Sequence, residues 1–186
     1  MTYGFDLRRK IPRCIAVRLF LAAVIATLSP FGQVYGQTDK ANSDQQALQG
    51  TWKLASYVGE DVSSGRKSDV MGSHPSGYVN YGADDHMILM IVGSDRKKPA
   101  GPTATPEEAE ALIKSMLAYA GTYTIDSNAK TVTHHIEISW DQTRAGQDHV
   151  RKFKVEGDRL TLVTEPSNDP ATGKKTVRTV TWERAK

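Results

Sequence analysis

Cysteine is almost absent from this sequence of 186 residues, and several functional motifs are absent with it. The only cysteine, Cys14, lies in a basic N-terminal block, so residues 37–186 can form no disulfide and offer no cysteine ligand for zinc. There is no Gly-x-Ser-x-Gly elbow, no recognisable Ser/His/Asp spacing, and no glycine-rich phosphate loop before a helix. These absences argue against nucleophilic catalysis and against nucleotide binding of the P-loop type.

No apolar run is long enough to span a bilayer, which requires about 20 residues. The longest run, Leu19–Leu28, has ten residues and follows a basic block at residues 8–18. Small-residue spacing at Val34–Gly36 offers a cleavage site. This layout predicts a signal peptide over residues 1–36, cleaved after Gly36. We expect a secreted or periplasmic protein with no stable membrane anchor after cleavage. An uncleaved anchor is the alternative interpretation.

A strong charge of either sign is also lacking once this segment is set aside. The whole chain has 24 basic and 21 acidic residues, but residues 1–36 hold five of the basic residues and one of the acidic residues. The other 150 residues therefore contain 19 basic and 20 acidic residues, for a formal charge near −1. Nucleic-acid binding needs a basic patch on the folded domain, so no nucleic-acid partner is expected.

Short alternating runs dominate the chain from Leu48 onward and predict eight strands separated by turns. Residues 37–47 are polar and are expected to be a flexible lead-in to a domain that covers residues 48–186. The period changes once, at residues 105–119, where Thr105 and Glu108 predict a capped helix. The strands are expected at residues 50–58, 77–81, 86–92, 121–125, 131–140, 148–155, 159–164 and 176–184. This set fits either a sandwich or a closed barrel.

Several segments carry a resemblance to a known family. "LQGTWKLASY" contains Gly50 and Trp52 in the Gly-x-Trp pattern that opens lipocalin barrels, and "TWER" places Arg184 on the last strand. With "YAGTYTID", "VTHHIEISW" and "RKFKVEGDRLTL", they resemble the bacterial and fungal lipocalin-like domain family over about Leu48–Arg184. The resemblance implies an all-β fold, an eight-stranded antiparallel barrel with one inserted α-helix. It also implies structural roles for Gly50, Trp52 and Arg184, with the guanidinium stacked on the indole at the closed end.

Two histidines stand side by side in "KTVTHHIEISW". Neighbouring strand residues point to opposite faces, so His135 is predicted to face solvent, and His134 to face inward with Val132, Ile136, Ile138 and Trp140. A zinc site needs three or four converging ligands, whereas hairpin pairing is expected to place His149 near Ser139 or Trp140. No metal site and no cofactor are therefore expected. His134 is either a core histidine bonded to a tyrosine or a carbonyl group, or a ligand contact.

Two arginines are predicted to accompany His134 inside the barrel. Arg151 shares a strand face with Phe153, and Arg178 shares one with Trp182. A buried arginine needs a negatively charged partner. Ordinary solutions are exposure near the barrel mouth or pairing with Glu137, Glu165 or Glu183, and the alternative is an anionic ligand head group. The predicted ligand-binding residues are His134, Arg151, Arg178, Tyr78, Tyr123 and Trp140.

These features predict a protein that binds a small hydrophobic molecule, with an anionic head group as an option, inside the barrel. The resemblance implies no catalytic residues, although some fungal relatives occur with polyketide pathways. One alternative is an isomerase, cyclase or lyase acting on a polyketide-like or aromatic substrate, with His134 as acid/base. Another is a filled barrel that acts only through its surface. The basic cluster Ser94–Pro99 is interpreted as a solvated loop or a contact for an anionic surface.

Overall fold

A computed structural model describes residues 42–170 and 172–186 of the chain. The predicted signal peptide, residues 1–36, lies outside the described residues, as does the first part of the predicted lead-in. Within the described residues, no helix is both long and apolar enough to cross a membrane.

The described residues form ten β-strands, two α-helices and one short 3-10 helix at Gln142–Arg144. The helices are α1 (residues 42–48) and α2 (Pro106–Lys114). The strands are β1 (Gly50–Asp61), β2 (Lys67–Asp69), β3 (Ser76–Tyr81), β4 (His86–Val92), β5 (Met116–Asp126), β6 (Thr131–Ser139), β7 (Asp148–Glu156), β8 (Arg159–Thr164), β9 (Ser167–Asn168) and β10 (Lys175–Arg184).

Eight of the strands close into an antiparallel barrel. The hydrogen-bonded order is β1-β3-β4-β5-β6-β7-β8-β10, and β10 pairs back onto β1 from Trp52↔Arg184 to Asp61↔Thr176. The short strands β2 and β9 extend the sheet beside β1 and β10. Because all pairings are antiparallel and the two ends meet, the fold is the predicted eight-stranded barrel, not a sandwich.

One end of the barrel is plugged by aromatic residues. Trp52 and Trp182 are both fully buried, and the Trp52 indole N–H donates to the Leu48 carbonyl at 2.7 Å. The Arg184 guanidinium lies 4.1 Å from the centre of the Trp52 ring and donates to the carbonyl groups of Ala47 and Gln49, each at 2.9 Å. The cation therefore joins the last strand to the segment that enters the first.

Gly50 allows the close approach of this arginine. Its φ is +115°, a conformation that side-chain-bearing residues rarely adopt. A Cβ atom at this position would lie 3.0 Å from Nη1 of Arg184. The Gly-x-Trp pattern thus brings together a backbone turn, a buried indole and room for a guanidinium.

Helix α1 is a correction to the sequence prediction, which placed a flexible lead-in at residues 37–47. Residues 42–48 are helical, and Leu48 at the end of this helix is fully buried. Both carboxylate oxygens of Asp44 accept from Lys130 at 2.7 Å. These partners lie far away in sequence, so polar composition alone did not indicate that this segment packs over the barrel end.

Helix α2 begins as predicted but ends early. Thr105 and Glu108 form the predicted capping box. The helix ends at Lys114 instead of residue 119, because the residues from Met116 onward pair with β4, starting at Met116↔Val92. The apolar spacing of this segment is compatible with a helix and with a strand, and pairing with β4 makes it a strand.

A β-bulge in β6 overturns part of the predicted inner face. Ala120 pairs with Ile138 but Gly121 pairs with Ile136, so Glu137 is an extra residue in the ladder. Beyond it the alternation is reversed, and Ile138 and Trp140 are 68% and 39% exposed. The prediction that Ile138 shares the inward face of His134 is therefore wrong, whereas Trp140, one residue past the end of β6, is partly exposed at the cavity wall.

The same region changes the register of the next strand. The connection from β6 to β7 folds back through backbone bonds between Ile136 and Gln147 and between Gly146 and Ile136, and it contains the 3-10 helix. As a result His149 lies directly opposite His134. The prediction that it pairs near Ser139 or Trp140 is wrong, because a simple hairpin was assumed.

Arg184→Ala is expected to lower the free energy of unfolding by about 2–4 kcal/mol, because it removes the stacking on Trp52 and two charged hydrogen bonds. Arg159→Ala is the matched control: this arginine is 60% exposed and lies 3.7 Å from Glu183, so its loss should cost less than about 0.5 kcal/mol. Urea denaturation measures both. Equal losses in the two variants would contradict the role given to Arg184.

Candidate functional site

A large cavity opens at the barrel end opposite the tryptophan plug. Its volume is about 1500 Å³, which exceeds that of most small-molecule sites. Apolar side chains, among them Tyr57, Met71, Leu112, Leu117 and Trp140, make up part of its wall. Helix α2 and the segments that connect β4 to α2, β6 to β7 and β8 to β10 form the rest of the rim. The barrel is therefore packed in one half and open in the other.

Arg151 joins the wall of this cavity to a buried polar network. Its Nη1 donates to the His149 carbonyl at 3.0 Å and lies 3.3 Å from Nδ1 of His134. Nδ1 of His134 is also 3.0 Å from the Tyr119 hydroxyl, and Nε2 is 2.7 Å from the Tyr81 hydroxyl. An arginine can only donate, so Nδ1 of His134 must accept and the proton is assigned to Nε2, which donates to Tyr81.

Burial keeps His134 neutral. The side chain is fully buried, and desolvation, followed by the charge of Arg151 and the proximity of His149, holds its pKa well below 6.5. Burial also raises the pKa of the Tyr81 and Tyr119 hydroxyls. The network is thus a set of neutral acceptors and donors beneath a single cation.

His149 stands on the cavity wall beside this cation. Its Nδ1 lies 3.4 Å from Nη2 of Arg151. Desolvation, then the charges of Arg151 and Arg144, lower the pKa of His149 to about 4. The carboxylate of Asp148, which also lines the cavity, acts in the opposite direction and raises this pKa.

The arginines that line the cavity fall into two pairs. Arg178 donates to Asp169 at 2.8 Å, and Arg144 lies 3.3 Å from Asp141. Within residues 42–170 and 172–186, no carboxylate lies within ion-pair distance of Arg151 or Arg96. Nη1 of Arg96 is buried and has no hydrogen-bond partner among these residues. Two cavity arginines are therefore neutralised by the protein and two are not.

A comparison with protein-family models matches residues 49–185 to the lipocalin-like domain. The chain belongs to the lipocalin-like domain family. No match is found among curated protein sequences. The lipocalin-like barrel suggests binding of a small molecule, and the open half just described is the place where this chain has room for one.

The predicted site residues occupy different parts of this lipocalin-like barrel. Arg151, Arg178 and Trp140 line the cavity, although the charge of Arg178 is taken up by Asp169 and not by one of the three glutamates considered from the sequence. Tyr123 is packed in the closed half, where its hydroxyl donates to the Gly82 carbonyl. Tyr78 is 52% exposed on the outer wall, so the expectation that it contacts a ligand in the barrel is wrong.

His134 does not reach the cavity. It is absent from the cavity lining, and its two ring nitrogens are occupied by Tyr81, Tyr119 and Arg151. Of the two roles considered from the sequence, the geometry matches the core histidine bonded to a tyrosine. As an acid/base it would have no contact with a substrate in the cavity, so the enzyme alternative gains no support.

Sequence reasoning missed several polar cavity residues, among them Arg96, Arg144 and His149. Arg96 belongs to the basic cluster Ser94–Pro99, which was interpreted as solvated, yet its guanidinium lines the cavity. The positions of Arg144 and His149 follow from the irregular connection between β6 and β7. The alternation of β7 puts His149 on the face of Arg151 and Phe153, but no sequence pattern indicated its place opposite His134 or the position of Arg144. The described part of the lipocalin-like barrel contains no group of three or more potential metal ligands.

Lowering the pH from about 7.5 to about 5 is expected to reduce the free energy of unfolding. The unfolded chain gains a proton on His134 near pH 6.5, whereas the folded barrel keeps this imidazole neutral. The stabilisation is complete above that pH and is lost at about 1.4 kcal/mol per pH unit below it.

Urea denaturation across this pH range measures the total slope, to which His149, with its pKa lowered to about 4, adds a second proton, whereas carboxylates contribute little because their unfolded pKa values lie near 4. In His134→Gln the free energy of unfolding should depend less steeply on pH, by about 1.4 kcal/mol per pH unit, which is the contribution of one proton. This decrease is expected whatever the absolute stability of the variant. A wild-type stability that does not change between these pH values would contradict a neutral His134.

Proposed function

We propose that this protein binds a small amphipathic anion, with its apolar body in the open half of the barrel and its anionic group on Arg151. The observation that carries the proposal is the placement of Arg151: it lines the cavity, and the described protein supplies it with neutral acceptors but with no carboxylate. A partly buried guanidinium without a counter-charge is costly, and an anionic ligand would offset that cost.

The surroundings of Arg151 favour an anion over a neutral ligand. No acidic residue among those described hydrogen-bonds to Arg151, whereas Arg144, whose charge also affects the His149 imidazole, is already paired with Asp141. The apolar wall around Trp140 and Leu117 provides contact for a hydrophobic body. Binding would combine burial of apolar surface with charge-assisted hydrogen bonds of fixed direction.

The buried network positions Arg151 in this proposal. Its guanidinium is held by the His149 carbonyl and by Nδ1 of His134, which is itself held by Tyr81. Because these acceptors are neutral, they orient the cation without cancelling its charge. A ligand therefore meets an arginine that has little freedom left to lose on binding.

Decanoate is expected to bind the wild-type protein at least about tenfold more tightly than decanol, because only the carboxylate pairs with Arg151. Isothermal titration calorimetry with both compounds measures the difference. In Arg151→Gln the preference for decanoate should disappear while decanol binding persists.

Arg159→Gln serves as the control, because it removes the same charge from an exposed position on β8, and it should keep the wild-type preference. Equal affinity of the wild-type protein for decanoate and decanol would contradict the proposed function.

We also propose that the chain is exported before it binds this ligand, on the basis of the basic block, the ten-residue apolar run and the cleavage-site spacing within residues 1–36. Mass spectrometry of the protein recovered from the periplasm or medium of a bacterial expression host should give a chain that starts at Gln37. Full-length protein retained in the cytoplasm or membrane would contradict this expectation.

A further inference from the structure

The second unneutralised arginine of the cavity is Arg96. It lies on the segment between β4 and α2, within the basic cluster Ser94–Pro99, and it lines the same cavity as Arg151. Its Nη1 is buried without a hydrogen-bond partner in the described structure, whereas Lys97 and Lys98 beside it, which also line the cavity, are exposed. A buried guanidinium N–H without an acceptor is uncommon and needs an explanation.

Arg96 and Arg151 approach the cavity from different parts of its wall. Arg96 follows β4, whereas Arg151 lies on β7, and these strands are three places apart in the barrel. Arg96 lies four residues beyond the end of β4, in the connection to α2, so the two arginines belong to different segments of the cavity wall and offer two points for an anionic group.

The cavity wall carries apolar side chains beside its charged ones. Helix α2 contributes Ala111 and Leu112, β5 contributes Met116 and Leu117, and the segment after β6 contributes Trp140. A ligand that follows this wall would bury an uncharged body between charged ends.

We infer that the cavity is built for a molecule with two anionic groups separated by an apolar body, one group on Arg151 and the other on Arg96. This inference rests on the proposed function, because it assigns the first group to Arg151, and it adds a second binding point and the class of ligand. The paired arginines, Arg144 and Arg178, have carboxylate partners and shape the rim.

The test compares decanedioate with decanoate, two compounds of equal chain length that differ in the second carboxylate. Isothermal titration calorimetry on the wild-type protein should give an affinity for decanedioate at least about tenfold higher. In Arg96→Gln this advantage should disappear, and decanoate should bind as it does to the wild type. In Arg151→Gln both compounds should bind more weakly.

Arg66→Gln is the matched control for Arg96→Gln. Arg66 is an exposed arginine on the turn between β1 and β2, it does not line the cavity, and its replacement removes the same charge. The advantage of decanedioate should persist in this variant. Its loss there would overturn the inference, because general electrostatic attraction would then explain the effect.

Two failures can be told apart. If the wild-type protein prefers decanoate to decanol but binds decanedioate no better than decanoate, the second anion point is wrong and the proposed function stands. If decanoate shows no advantage over decanol, the proposed function fails and this inference fails with it. Circular dichroism and urea denaturation of each variant establish that the barrel is folded in every comparison.

Discussion

The pairing of the last strand with the first is the interaction on which the rest of the structure depends. Between Trp52↔Arg184 and Asp61↔Thr176, β1 and β10 turn a twisted sheet into a closed barrel and leave no free edge along their length. The Arg184 guanidinium strengthens the same junction, because it holds the carbonyl groups of Ala47 and Gln49 while it covers the Trp52 ring. The same junction therefore closes the barrel and holds the aromatic plug, whereas the opposite end of the barrel stays open.

The two halves of the barrel interior consequently differ in packing and in charge. The plugged half holds tightly packed aromatic and aliphatic residues, including Trp182 and Tyr123, and it provides the rigidity of the fold. The open half holds the cations and the cavity. His134 lies at the boundary: its Tyr81 contact belongs to the packed half, and its Arg151 contact leads to the cavity. His134, which the sequence offered as a candidate acid/base, thus connects the two halves through its hydrogen bonds.

The sequence predicted the barrel well because most of its strands alternate regularly. Strands β4 and β8 have the bounds that the pattern indicated, and Arg151 faces inward as the Phe153 side of β7 required. The pattern failed where distant contacts decide the local structure. Helix α1 depends on Lys130 for part of its anchoring, β2 and β9 are too short to carry a periodicity, and the end of α2 is determined by its neighbour β4.

The candidate site was less accessible to prediction, for a related reason. Inward arginines can be recognised on a strand, but whether a carboxylate neutralises them depends on loops whose paths no periodicity encodes. Arg178 meets Asp169 through such a loop, and Arg96 turns into the cavity from another. Which cavity arginines lack a carboxylate partner depends on the positions of the charged side chains in the fold, and the sequence does not give these positions.

The bulge at Glu137 has a consequence for how such a barrel can change its capacity. With regular alternation, Ile138 and Trp140 would share the inner face of His134; with one extra residue in β6, Ile138 points outward beside Ala120. Interior space in this protein is therefore governed by the residue count along one strand as well as by the size of the inward side chains. Insertion or loss of a single residue at this position would change the interior space of the barrel, whereas substitutions at Arg96 and Arg151 would change the charge of the cavity wall.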